Sequence, residues 1–467
     1  MLKTTGQSSV IVDKKDVILN WIDLISSERF GKEGTSKPDV ERRTQFQRDY
    51  DRLIFSAAFR RMQNKTQVFP LPGSIFVHNR LTHSLEVASV GRSLGNDVGE
   101  RLVEKYIRLR PDLTHRLNPR FESLGDIVSA ACLAHDMGNP PFGHSGENAI
   151  RTFFTETKAQ SLRHHFSDQQ WSDMAHFDGN ANTLRLLSHQ FEGRRPGGFV
   201  MTYPTLASIV KYPYSSTLAT KSKFGFFASE QEGYCRIAKK LGIPMVRQTD
   251  KGIEFARHPL VYLVEAADDI CYEIMDIEDA FKLRILSFEE TCDLLLDFFD
   301  YDARCDIATT YSENSDRNDR IVFFRACVIN LLERECVRIF MEHEEEILAG
   351  SFEGSLISHL PERQLHAYKH CSEVAKQRIY NCKEVTDIDL AGFHIIYTLL
   401  NLMVDAVMSP EKAYSKLLIS QASSQYALQK GPIAERIISV VDYLTGMTDV
   451  FALDLYRKIE GHSLPVV

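Results

Sequence analysis

Apolar residues recur three and four apart along most of the chain, and strict alternation is rare. Between residues 42 and 63, Phe46, Tyr50, Leu53, Ile54, Ala57 and Ala58 fall on one helical face. A shorter apolar run at 17–25 predicts a small helix ahead of it, followed by a Gly/Ser/Lys loop at 31–38. Residues 127–134 are apolar almost throughout and rich in small side chains, which predicts a helix buried on every side. Pro, Gly and clustered polar residues predict loops at 68–77, 167–178, 192–199 and 312–320. No internal repeat is present. The pattern predicts an all-α fold, divided into an N-terminal segment (1–41), a core (42–290) and a C-terminal helical extension (291–467).

Composition narrows the class without deciding it. The 467 residues are 43% hydrophobic and 25% charged, with a net charge of −8. That is ordinary globular composition and excludes a disordered or collagenous chain. The net acidity argues against a dedicated nucleic-acid coat. No uninterrupted apolar run approaches the roughly 18 residues that span a bilayer, so no membrane segment is expected. The N-terminus lacks an apolar run with a cleavage site, so no signal peptide is expected. Nine scattered cysteines without a Cys-x-x-Cys pattern fit reduced thiols and a cytoplasmic protein.

The chemistry concentrates where polar residues interrupt apolar helices. His135 and Asp136 end the 127–134 helix, and Gly138, Asn139, Pro140 and Pro141 must stop it. A buried imidazole and carboxylate are costly unless paired with each other or bound to a metal. His83 shares the apolar face of its helix with Val87 and Val90. Asp268 and Asp269 stand side by side in a third apolar helix. Two imidazoles and two carboxylates form an N/O set that suits Mn, Fe, Zn or Ni better than Ca. In the following FGHSGE segment, Gly143 and Gly146 allow a tight turn, and His144 and Glu147 share a face if a helix begins there. Arg194, Arg195, Lys221 and Lys223 make a basic, loop-rich region, interleaved with Phe224, Phe226 and Phe227. That pattern fits either a plain surface loop or a contact to phosphate or single-stranded DNA, with the rings as stacking platforms.

The pattern His83, His135-Asp136, Asp268 resembles the HD superfamily of metal-dependent phosphohydrolases. The blocks RRMQNKTQVFPL, RLTHSLEV, HDMGNPPFGHSGE, HFDGNA, VKYPY, EAADDICYEIMDIEDA and GMTDVFALDLYRK narrow this to a resemblance to the bacterial dGTP triphosphohydrolase family. The similarity runs over about residues 42–285, with an island near the C-terminus.

The resemblance implies an HD-domain helical bundle that hydrolyses deoxynucleoside triphosphates, dGTP foremost, to deoxynucleoside and inorganic triphosphate. It implies His83, His135, Asp136 and Asp268 as ligands of a divalent ion, Mn2+ or Mg2+ above Fe, Zn or Ni. Asp268 is the ligand rather than Asp269 because the family uses the first Asp of the pair; Tyr272 and Asp276 then follow it on one stripe. His144 and Glu147 are the implied catalytic pair. Lys211 and Tyr212, with His176 and Asn180, are implied near phosphate; Tyr272, Asp276 and Gln67 are implied near the sugar. The family often has Glu where Asp178 stands. The resemblance also implies a symmetric homo-oligomer, a hexamer foremost, and admits single-stranded DNA as a partner. Another HD phosphohydrolase, or a nucleotide-sensing nucleic-acid-binding protein, are the competing readings.

Overall fold

Local capping chemistry starts many of the helices. Thr44 and Gln47 form a capping box for α1 (Gln45–Ile54), and Ser56 caps the short α2 (Ala57–Arg61). Asn79 and Thr82 close another at the start of the 30-residue α3 (Arg80–Leu109). The buried α4 (Leu124–Ala134) ends at His135, and α5 (Gly143–Thr155) begins directly after a left-handed Phe142. Next come α6 (Asp168–Ala175), α7 (Gly179–Ser188), α8 (Tyr203–Ile209) and the long α9 (Val261–Lys282). The C-terminal part contributes α10 (Arg317–Glu342), α11 (Lys383–Met408), α12 (Ile433–Thr445) and α13 (Asp449–Ile459). This computed structural model describes residues 10–11, 19–34, 43–69, 77–310 and 316–462.

The all-α expectation holds, with one small addition. Val10–Ile11, Met245–Gln248 and Ile253–Phe255 form a three-stranded antiparallel sheet in chain order. Its hairpin turns over Thr249–Gly252, where Thr249 N–H donates to the Gly252 carbonyl. Two loop expectations need correction. Residues 167–178 are mostly helical, because Ser167 and Gln170 make a capping box for α6. Residues 317–320 begin α10, since Asp316 accepts from two backbone amides there. Residues 311–315 and 70–76 of the other predicted loops, and 35–38 of the first, lie outside the described residues. So do 17–18 of the predicted N-terminal helix, which contributes one turn at Trp21–Leu24. Phe224, Phe226 and Phe227 are buried in the interior rather than offered to stacking, as apolar rings among core neighbours should be.

Two hydrophobic cores result. The larger gathers α1, α3, α4, α9 and α10. The smaller gathers α5, α6, α11, α12 and α13. In the larger core, a Cβ at Gly95 of α3 would sit 2.7 Å from the Gly125 Cα of α4, so only glycine permits that helix approach. In the smaller, α11 is apolar enough by length and composition to cross a membrane. Its most apolar stretch is 50% buried, and Ile395, Leu399 and Met403 lie in the same core as Ile150, Phe153 and Ile437. All nine cysteines are unpaired.

Candidate metal centre and its surroundings

The close packing of α3 on α4 brings two imidazoles together, with ring centroids of His83 and His135 5.5 Å apart. Helix α9 adds Asp268, whose Oδ1 lies 3.1 Å from His83 Nε2 and 3.4 Å from His135 Nε2. The donor atoms of these three residues all fall within 4.8 Å of one another. His135 Nδ1 lies 2.6 Å from the Cys132 carbonyl, so the N–H belongs there and the Nε2 lone pair faces the cluster. Asp136 adjoins it, with Oδ1 3.6 Å from His135 Nε2. Its carboxylate accepts from Arg80 Nη1 and Asn139 Nδ2, each at 2.5 Å.

This donor set fits a divalent ion. Burial alone lowers the His135 pKa, but the Asp136 and Asp268 carboxylates outweigh it and raise the ring to about 9. Asp268 is only partly buried, and His135 and His83 hold its carboxyl well below the usual range against the pull of desolvation. The cluster therefore presents a negative field that a cation stabilises, with imidazole and carboxylate donors of the type Mn, Fe, Zn and Ni accept.

His144 and Glu147 stand at the start of α5, with Nδ1 3.4 Å from Oε2 at i, i+3. The two side chains differ sharply: His144 is 86% exposed and Glu147 only 3%. Glu147 accepts from Arg151 Nη2 at 2.8 Å and from the Gly179 amide at 2.7 Å. Burial would raise its pKa; the hydrogen bond to His144 and the charges of Lys223 and Arg151 lower it to about 2. Gly179 opens α7, and the Glu147 charge acts on the neighbouring Asp178. Asp178 Oδ1 accepts from the Asn180 amide and side chain, both at 3.0 Å, while Asp178 Oδ2 is buried without a partner among the described residues. Lys223 Nζ lies 3.4 Å from Asp178 Oδ1. His176 Nδ1 lies 3.0 Å from the Ser172 carbonyl.

Farther along α9, the Tyr272 ring lies 6.5 Å from that of His83. Asp276 accepts from the Tyr380 hydroxyl at 2.7 Å, and burial pushes its carboxyl well above the usual range. Gln67 Oε1 is buried with no partner among the described residues. On the other side of Asp268, Lys211 pairs with Glu265 at 2.9 Å and stands over the Tyr212 ring at 5.8 Å. Asp269 makes no side-chain hydrogen bond or ion pair among the described residues; burial pushes its carboxyl up to about 7.

Three neighbours escaped the sequence reading. Arg80 had a usable signal, lying one helical turn before His83 at a helix N-terminus. Lys223 was seen only as part of a basic loop. Tyr380 had no signal, since about 100 residues separate it from Asp276 and no motif surrounds it.

Among known families, the HD domain matches residues 80–175. A deoxyguanosinetriphosphate triphosphohydrolase-like protein of Pseudomonas aeruginosa is 36% identical over 464 residues, covering 96% of this chain and 100% of its own length. One of the same description from Synechocystis is 36% identical over 463 residues, with the same coverage of both chains. A deoxyguanosinetriphosphate triphosphohydrolase of Yersinia enterocolitica is 29% identical over 524 residues, covering 94% of this chain and 99% of its own.

Proposed function

Since the chain belongs to the deoxyguanosinetriphosphate triphosphohydrolase-like family of HD-domain proteins, we propose that it hydrolyses deoxynucleoside triphosphates, dGTP foremost, to deoxynucleoside and inorganic triphosphate. The observation that carries this is the convergence of His83, His135 and Asp268 within 4.8 Å in a chain that also pairs His144 with an ionised Glu147.

His83, His135, Asp136 and Asp268 would hold a divalent ion, Mn2+ or Mg2+ foremost, which when bound supplies Lewis acidity and activates water. The remaining chemistry falls to the protein. Water attacks the α-phosphorus, the bond from phosphorus to the sugar 5′-oxygen breaks, and that oxygen takes a proton. His144 is placed to give it: an exposed imidazole reaches substrate, and the Glu147 carboxylate beneath orients the ring. Lys211, Tyr212, His176 and Asn180 meet the triphosphate. Gln67 and Asp276 bind near the 3′-hydroxyl, and the Tyr272 ring occupies the space of a 2′-hydroxyl.

Incubating the protein with each dNTP and NTP plus Mn2+, with products resolved by anion exchange, tests this. Intact triphosphate together with deoxynucleoside is the expected result. A nucleoside monophosphate or free phosphate would overturn it in favour of another HD phosphohydrolase.

A further inference from the structure

The C-terminal island GMTDVFALDLYRK has no part in the proposed chemistry, and the first of its two aspartates is buried. Asp449 is the first residue of α13 and only 5% exposed. One carboxylate oxygen accepts from the Phe142 amide at 2.9 Å. The other accepts from both the Thr66 amide, at 2.7 Å, and the Thr66 hydroxyl, at 2.6 Å.

Both partners sit next to proposed site residues. Phe142 adopts φ 60°, a left-handed conformation that a phenylalanine holds only when its surroundings enforce it. It is followed by Gly143 and then His144, so its backbone sets the direction in which α5 leaves the metal turn. Thr66 precedes Gln67, the residue with the orphaned buried acceptor. Two further restraints close on the same segment. Lys65 Nζ donates to the Asn139 carbonyl at 2.5 Å and the Thr445 carbonyl at 2.8 Å. Gly392 of α11 abuts Phe142 so closely that a Cβ there would lie 2.5 Å from the Phe142 Cβ.

We propose that Asp449 is a positioning residue for the reaction, whose carboxylate fixes the Phe142 turn, and through it His144 and Glu147, while holding Gln67 through Thr66. It touches neither the cluster of His83, His135 and Asp268 nor substrate. The inference rests on the function proposed above. Its signature is a fall in turnover with metal binding intact, because the clamp aims the proton donor and leaves the ion's ligands alone. A misplacement of about 1 Å at such a group costs on the order of 100-fold in rate.

The test uses the full-length protein. Asp449→Asn keeps the shape and one carbonyl acceptor but cannot accept at both ends. It should lower kcat about 10-fold, and Asp449→Ala about 100-fold, with bound metal retained. Thr66→Val removes only the hydroxyl bond; it should leave kcat within about threefold while raising KM for dNTPs and NTPs alike through Gln67. Amide hydrogen exchange at Phe142, slow in the wild type, should quicken in Asp449→Asn, a readout that needs no activity and covers the case where the alanine variant does not fold. Wild-type kcat in Asp449→Asn, or a kcat loss matched by loss of metal and of fold, would overturn the positioning role. A wild-type protein that releases no triphosphate would instead overturn the function itself, while the exchange result would still report on the clamp.

Discussion

The cluster of His83, His135 and Asp268 and the pair of His144 and Glu147 are built in opposite ways. The first draws on α3, the end of α4 and α9, all rooted in the larger core, and its imidazoles are buried. The second rides on the first turn of α5, in the smaller core, and presents one exposed ring over a buried carboxylate. The two join through a single turn, residues 135–142, which Arg80, Asn182, Lys65 and Asp449 all hold by hydrogen bonds. Burial suits ligands that must pay no reorganisation when an ion binds, and exposure suits a group that meets an incoming substrate. The comparison teaches that the proposed ion site and the proposed proton donor are mounted on different elements, so a substitution should remove either one without the other.

The sharpest break comes from the buried side. His135→Ala or Asp268→Ala should lose bound metal and activity together, as elemental analysis and product assay would register; activity that outlasts the metal would refute the ligand set. His144→Ala should lower kcat by about 10²–10⁴-fold with the metal retained, which separates the two halves directly. Glu147→Gln probes the carboxylate beneath. With its pKa at about 2 against an ordinary 4.5, its contribution to stability is complete above pH 4.5 and lost as pH falls toward 2. That contribution is worth roughly 3 kcal/mol. Acid unfolding of the Gln variant should accordingly be flatter across that window, and an unchanged acid limb would exclude the ionised role.

Smaller effects sharpen the seam and the sugar end. Gly392→Ala should cost about 1–3 kcal/mol of stability by overpacking Phe142, visible as a lowered Tm. Tyr272→Ala should reduce the preference for dNTPs over NTPs by about 10-fold, measured as the ratio of kcat/KM values; an unchanged ratio would remove Tyr272 from sugar recognition.

Much of the buried side was legible along the chain. An apolar, small-residue helix ending in His135-Asp136, and polar residues on the apolar faces of two other helices, are visible locally because burial leaves a compositional trace. The i, i+3 spacing of His144 and Glu147 was equally readable. The helix at Asp168–Ala175 was missed because its polar surface reads as a loop, although its capping box at Ser167 and Gln170 was there to be seen. The small sheet was missed because its strands are two to four residues long, too short for a period to register. Tyr380 and the Asp449 bridge could not be read at all, since a hydrogen bond across about 100 to 400 residues leaves no local pattern.

The amino-acid order by itself determined the helical class, the small-residue helix at 127–134, and the residue types able to hold an ion, because periodicity and side-chain chemistry are local properties. The tertiary structure alone decided that His83, His135 and Asp268 share one point in space, that Glu147 stays ionised, and that a carboxylate from the last helix fixes the turn before His144, because convergence, desolvation and long-range hydrogen bonding exist only once the chain has packed.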